Sequence, residues 1–170
     1  MNIKIYHDLK SLEQKMQPLV GQLCWQARLG YGDELCLEFG ERIPYNSPLL
    51  EDEFKGEWQL GSRGSDWGLF CNGETLATSE LEIEQLSPLL KRIEGTKVTQ
   101  IRIFYPILLL NFDNQCCLLI KLNPDDLESQ DLAAWELFTP NHRILEFYPN
   151  GTWSEQASDE ITQECSISIV

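Results

Sequence analysis

The sequence predicts a strand-dominated α+β fold: two tandem pseudo-repeats of a helix plus a four-stranded antiparallel meander, packed into one body. Three observations carry that prediction. First, Gly21, Gln26 and Arg28 recur 74 residues on as Gly95, Gln100 and Arg102, and Leu35, Leu37 and Phe39 recur 73 residues on as Leu108, Leu110 and Phe112. Second, Trp58 and Leu60 recur as Trp135 and Leu137, while Leu69 with Asn72-Gly73 recurs as Phe147 with Asn150-Gly151. Third, most runs between these landmarks alternate with period two, as half-buried strands do, and two stretches carry helical spacing. At 170 residues the chain suits a single domain, 1–170. The repeats span approximately 8–78 and 80–153, followed by an acidic tail at 154–170. A copy of about 75 residues is a marginal core alone, so the two are expected to pack together about a pseudo-twofold axis.

Each element has a local reason. In DLKSLEQKMQPLV, residues 8–20, Leu9, Leu12, Met16 and Leu19 share a helical face and Asp8 stands where an N-cap belongs. Pro18 and Gly21 close the helix. QLCWQARLG then alternates Leu23, Trp25, Ala27 and Leu29 against Cys24, Gln26 and Arg28, a strand with one dry face. GYGDE is a turn, and LCLEFG completes a hairpin with Leu35, Leu37 and Phe39 inward. Residues 41–55 are expected to be irregular, with Pro44, Pro48 and a run of acids. GEWQLGS and DWGLFCNG form the next two strands, burying Trp58 with Leu60 and Trp67 with Leu69, and ETLAT adds a short strand beyond the Asn72-Gly73 turn.

The second copy opens with ELEIEQLSPLLKRIEG, where Ile83, Leu86, Leu90 and Ile93 are helically spaced around Pro88. The expected helix takes Ser87 as cap and Pro88 at its first position, with Lys91 and Arg92 near its C-terminus and Gly95 ending it. LEIE before it is extended or helical. Strands are expected at KVTQIRIFY, at ILLLNF with QCCLLIKL, at AAWELF and at RILEFY. After Trp153 the tail is expected to be loop-like through Asp159, with CSISIV as an edge strand.

Charge excludes more than any motif suggests. Twenty-seven acidic residues face 13 basic ones, a net charge of −14. Such a surface lacks the Lys/Arg footprint that nucleic acid requires and is repelled by anionic membranes. It attracts a basic protein partner and speeds the encounter. No apolar run approaches 18 residues and the N-terminus lacks a signal-peptide pattern, so no membrane partner and a cytoplasmic location are expected. None of the six cysteines, Cys24, Cys36, Cys71, Cys116, Cys117 and Cys165, stands in C-x-x-C spacing. They read as buried or idle thiols rather than a disulfide or metal site. His7 and His142 have no ligand at metal spacing, and no nucleophile-elbow, P-loop or dinucleotide motif occurs. No metal, no cofactor and no catalytic residue is predicted.

The polar candidates lie opposite the tryptophans: Gln26, Arg28, Glu38, Glu57 and Gln59 in the first copy, Gln100, Arg102, Asn111 and Glu136 in the second. A strand-borne Arg among carboxylates suits either an anion-holding pocket or cross-strand register pairing, and its recurrence favours pairing. LCLEFG, GEWQLGS and WGLFCNG resemble, over residues 21–73 and more weakly over 95–153, an uncharacterised family of bacterial proteins. In that family a strand ending in Phe-Gly precedes a Glu-Trp-x-Leu strand and a second Trp strand. GSRGSDW departs from the pattern by an extra Gly-rich bend. In size and charge the chain is loosely similar to toxin-immunity proteins, a likeness that implies binding and no activity. The expected function is therefore non-catalytic binding or inhibition of a basic protein, with Glu51, Asp52 and Glu53 as contacts. One rival reading is a small enzyme with an acidic pocket around Arg28, Glu38 and Glu57. Another is a structural or assembly protein dimerising through a sheet edge.

Overall fold

The structure, a computed structural model, describes residues 3–125 and 130–158. Helix α1 (Leu9–Met16) begins on Asp8, whose side chain accepts from the backbone N–H groups of Lys10 and Ser11. Leu12 and Met16, one turn apart, are buried, and a 3-10 turn through Pro18 buries Leu19. Twelve strands follow the chain: β1 (Ile5–Tyr6), β2 (Leu23–Leu29), β3 (Leu35–Pro44), β4 (Phe54–Gly61), β5 (Asp66–Cys71), β6 (Glu74–Thr78), β7 (Thr96–Phe104), β8 (Ile107–Phe112), β9 (Cys116–Lys121), β10 (Trp135–Phe138), β11 (Arg143–Phe147) and β12 (Trp153–Ala157). Among the described residues 48% are in strands and 16% are helical, and none of the helices is long and apolar enough to cross a membrane.

The expected repeat architecture is overturned by how the strands join. All twelve belong to one antiparallel sheet in the order β1-β12-β11-β10-β4-β3-β2-β7-β8-β9-β5-β6. No helix-plus-four-strand meander closes on itself. Each meander stops at three strands, β2-β3-β4 and β7-β8-β9, and the hairpin after it crosses over. Strand β5 pairs with β9, and β10 pairs with β4. Trp58 and Trp135, matched in the sequence as equivalents, lie on adjacent strands in which Leu60 opposes Leu137. The position beside β8 belongs to β9, the QCCLLIKL run that the sequence reading joined to ILLLNF. The seam between β2 and β7 is short: Leu23 opposes Lys97, and Cys24 opposes Thr96. Gly21 N–H donates to Val98 O and Gly95 N–H donates to Cys24 O, both at 2.7 Å, with the two glycines at φ +91° and +82°. That backbone region is open to glycine and strained for other residues, which explains glycine at both seam corners.

Bulges correct the alternation. The β2–β3 register shifts between Cys24 and Gln26, and the β7–β8 register shifts between Val98 and Gln100. An extra residue turns the following side chains to the other face. Cys24 and Ala27 thus point inward, Leu23 is exposed, and Trp25 lies outside the core with the Arg42 guanidinium 4.6 Å from its ring centroid.

The second helix, α2 (Ile83–Leu90), starts on Glu82 and runs through Pro88, rather than starting at Ser87. Burial of Leu86 and Leu90, a turn apart, outweighs the proline's lost bond in so short a helix. Residues 41–55 are less irregular than expected, because β3 continues to Pro44, opposite Phe54 of β4. The stretch after Trp153, expected as loop through Asp159, instead continues β12 to Ala157, paired with β11; Asp159 and CSISIV lie outside the described residues.

Cys71 and Cys116 are a disulfide, against the reading of idle thiols. The β5–β9 register sets them directly opposite each other, a juxtaposition no spacing rule reveals. One continuous core takes Leu12, Met16 and Leu19, the inward residues of β2–β5 and β7–β12, and Leu86, Leu90 and Ile93. Trp58, Trp67, Trp135 and Trp153 are all buried in it.

Candidate functional site

On the face of β2–β3–β4–β10 opposite the core runs a row of buried and half-buried polar side chains. Register places Gln26 opposite Glu38, and Glu38 opposite Gln59. Glu38 is fully buried. Its Oε2 accepts from Gly56 N–H at 2.8 Å and its Oε1 from Gln59 Nε2 at 2.9 Å. Arg28 Nη2 stands 4.0 Å from Oε1, and Arg28 Nε donates to Gln26 Oε1 at 3.3 Å. Burial pushes the Glu38 carboxyl up to about 7; the bonds from Gly56 and Gln59 and the Arg28 charge act the other way and recover part of the shift. Structurally this is a sealed bracket across three strands, with both oxygens occupied. Glu57, grouped with Glu38 by the sequence, packs over Gly40 and lines a separate recess with Lys55 and His142.

The second-copy candidates make other contacts. Asn111 Nδ2 donates to Gln100 Oε1 at 2.8 Å across β7–β8. Arg102, largely exposed, has its Nε 4.0 Å from Glu13 Oε1 on α1, while Glu13 Oε2 accepts from Ile103 N–H at 2.8 Å. The structure therefore brings Gln26, Arg28, Glu38 and Gln59 together and leaves Glu57, Gln100 and Arg102 apart from them.

A different group meets where the same face reaches its end. An open cavity of about 350 Å³ is lined by Tyr31, Glu34, Arg63 and Ser65, and by Leu122, Leu132, Ala134 and Pro149 among others. Glu34 is 8% exposed and its Oε1 accepts from Arg63 N–H at 3.3 Å. Burial pushes its carboxyl up, with the Arg63 charge and N–H opposing. The carboxylate has room because position 61 is glycine: a Cβ there would lie 2.3 Å from Glu34 Oε1 and 3.5 Å from Glu136 Cγ. Glu136, buried on β10, stands with Oε1 3.6 Å from Arg63 Nη1. In the sequence Glu34 and Arg63 read only as turn residues. The available signal was GSRG, an Arg in a tight bend; Arg63 adopts φ +50°, uncommon for a residue with a Cβ.

The acids Glu51, Asp52 and Glu53 are exposed, as is most of the loop that carries them. Beyond Phe39 and Gln59, β3 and β4 pair only with each other in the described ladders, so residues 40–57 form a hairpin arm. Ser47 caps a 3-10 turn, Pro48–Leu50, at its tip. Leu49 is 93% exposed and Phe54 is 45% exposed beside the acids. Among the described residues no group of three or more His, Cys, Asp or Glu is arranged to hold a metal ion. No protein-family model, curated protein or solved structure matches this chain.

Proposed function

We propose that the protein binds a basic protein partner without catalysing a reaction on it, in the manner of an inhibitor or immunity protein. One observation carries this reading: the hairpin arm presents exposed Leu49 and Phe54 beside exposed Glu51, Asp52 and Glu53. Apolar anchors ringed by charge are the anatomy of a protein interface, where burial of the anchors supplies affinity and the charges supply steering. The net charge of −14 sets the sign of the partner. An enzyme built on Arg28, Glu38 and Glu57 is the weaker reading, because Glu38 is fully buried with both oxygens engaged and Glu57 points elsewhere. Affinity capture from the native cell is expected to bring down a Lys/Arg-rich protein. Glu51→Lys with Glu53→Lys is then expected to lower its association rate at least tenfold with a smaller effect on dissociation. A captured partner whose rate ignores the reversal refutes the reading.

A further inference from the structure

We propose that the cavity between Tyr31, Glu34 and Leu132 is a receptor for one arginine or lysine side chain of a basic partner. The inference rests on the reading above and adds a site that the hairpin arm does not contain. Its shape and chemistry match an apolar stem with a cationic tip. Leu122, Leu132, Ala134 and Pro149 supply an apolar wall along which methylenes lie without loss, as long basic side chains do elsewhere. Glu34 is the buried carboxylate of the lining, and a second buried carboxylate, Glu136, stands beside it across the bare Gly61 backbone. Arg63 serves both: its Nη1 stands 3.6 Å from Glu136 Oε1, and its charge and backbone N–H act on Glu34. Glu34, Glu136 and Arg63 together bring two negative charges against one positive.

That excess is costly as it stands. Desolvation raises the Glu34 carboxyl, and the Arg63 charge, shared with Glu136, and the Arg63 N–H donated at 3.3 Å offset that only in part. A guanidinium or ammonium entering the cavity restores what burial removed, with the charge-assisted bonding that buried carboxylates favour. Tyr31 stands at the mouth with 83% of its surface exposed, presenting an aromatic face to an arriving cation. At about 350 Å³ the cavity is at the small end for ligand sites, which fits one long side chain better than a folded cofactor. The competing occupant is a carboxylate held by Arg63.

The full chain is titrated by NMR with n-butylguanidinium, n-butylammonium and butyrate, with an arginine-rich peptide as a fourth probe. The expected result is saturable millimolar binding of the two cations with shifts confined to the cavity, and no binding of butyrate. Glu34→Gln, which retains the oxygen that accepts from Arg63, is expected to weaken cation binding at least tenfold. Tyr31→Ala, at an exposed position, is expected to weaken it severalfold, and unchanged spectra elsewhere certify both folds. Butyrate binding in place of the cations overturns the proposal, as does cation binding indifferent to Glu34→Gln. If the cations fail while charge reversal at positions 51 and 53 still slows the peptide, the pocket is wrong and the partner reading survives. If the cations bind through Glu34 while the peptide ignores that reversal, the pocket stands and the hairpin reading falls.

Discussion

Burial of Glu38 makes the stability of the fold depend on pH. In the unfolded chain its carboxyl titrates near 4.5, and in the fold it is pushed up to about 7. Below 4.5 both states hold the proton and the fold loses nothing. Between 4.5 and 7 the unfolded chain releases it first, so stability falls as pH rises, and above 7 the fall is complete. At about 1.4 kcal/mol per pH unit the loss is on the order of 3 kcal/mol. Glu38→Gln keeps an acceptor for Gly56 and removes the titration. Urea denaturation at pH 4.5 and 7.5 is expected to show the variant gaining on the wild type by that order as pH rises. A constant difference at both pH values contradicts the assignment. Gln59, Gln26 and Arg28 are the polar side chains grouped around Glu38 in this behaviour, because they complete the same bracket.

At the scale of elements, the hairpin arm and the swapped hairpins make opposite demands. The arm depends on Gly56: a Cβ there would lie 2.7 Å from the N and O of Phe39 and from Trp58 O, all backbone atoms that cannot step aside. Gly56→Ala is therefore expected to cost about 1–3 kcal/mol by strain alone, read as a lower urea midpoint with an unchanged slope. It also threatens the N–H that holds Glu38. The β5–β6 hairpin, by contrast, is tied to β9 by Cys71–Cys116, a link closing 45 residues of chain. Restricting the unfolded chain by a loop of that size contributes about 2–4 kcal/mol. Cys71→Ser with Cys116→Ser is expected to lower stability by that amount under oxidising conditions, and added reductant is expected to bring the wild type to the level of the variant.

For the whole molecule the governing quantity is charge. A surface with a net −14 acts on a partner over the Debye length, about 10 Å at 0.1 M salt and about 3 Å at 1 M. Association with the basic partner proposed above is expected to slow by one to two orders of magnitude across that range, as stopped-flow mixing measures, while dissociation changes far less. An association rate flat in salt leaves the acidic composition as a matter of solubility.

The local chemistry of this chain was legible from its residues. Asp8 caps α1 because a carboxylate at that position satisfies N–H groups two and three residues on, and Asn72-Gly73 turns β5 into β6 because its backbone region suits them. Trp58, Trp67 and the Leu-x-Leu-x-Phe strands are buried because alternation places them on the apolar face. The exposure of Glu51, Asp52 and Glu53 likewise follows from a polar run between prolines and strands. What the tertiary structure alone decided is everything that depends on which strands meet. Hydrogen bonds between strands carry no residue code, so β5 joining β9 and β10 joining β4 cannot be read from either run. From that crossing come the Cys71–Cys116 bond, the meeting of Glu136 with Arg63, and the cavity at Glu34. The bulges at Cys24/Gln26 and Val98/Gln100 are of the same kind, because one inserted residue reverses a face without altering composition. Period and propensity act over a few residues along the chain; partner choice is settled by the burial of one shared core, which no segment contains.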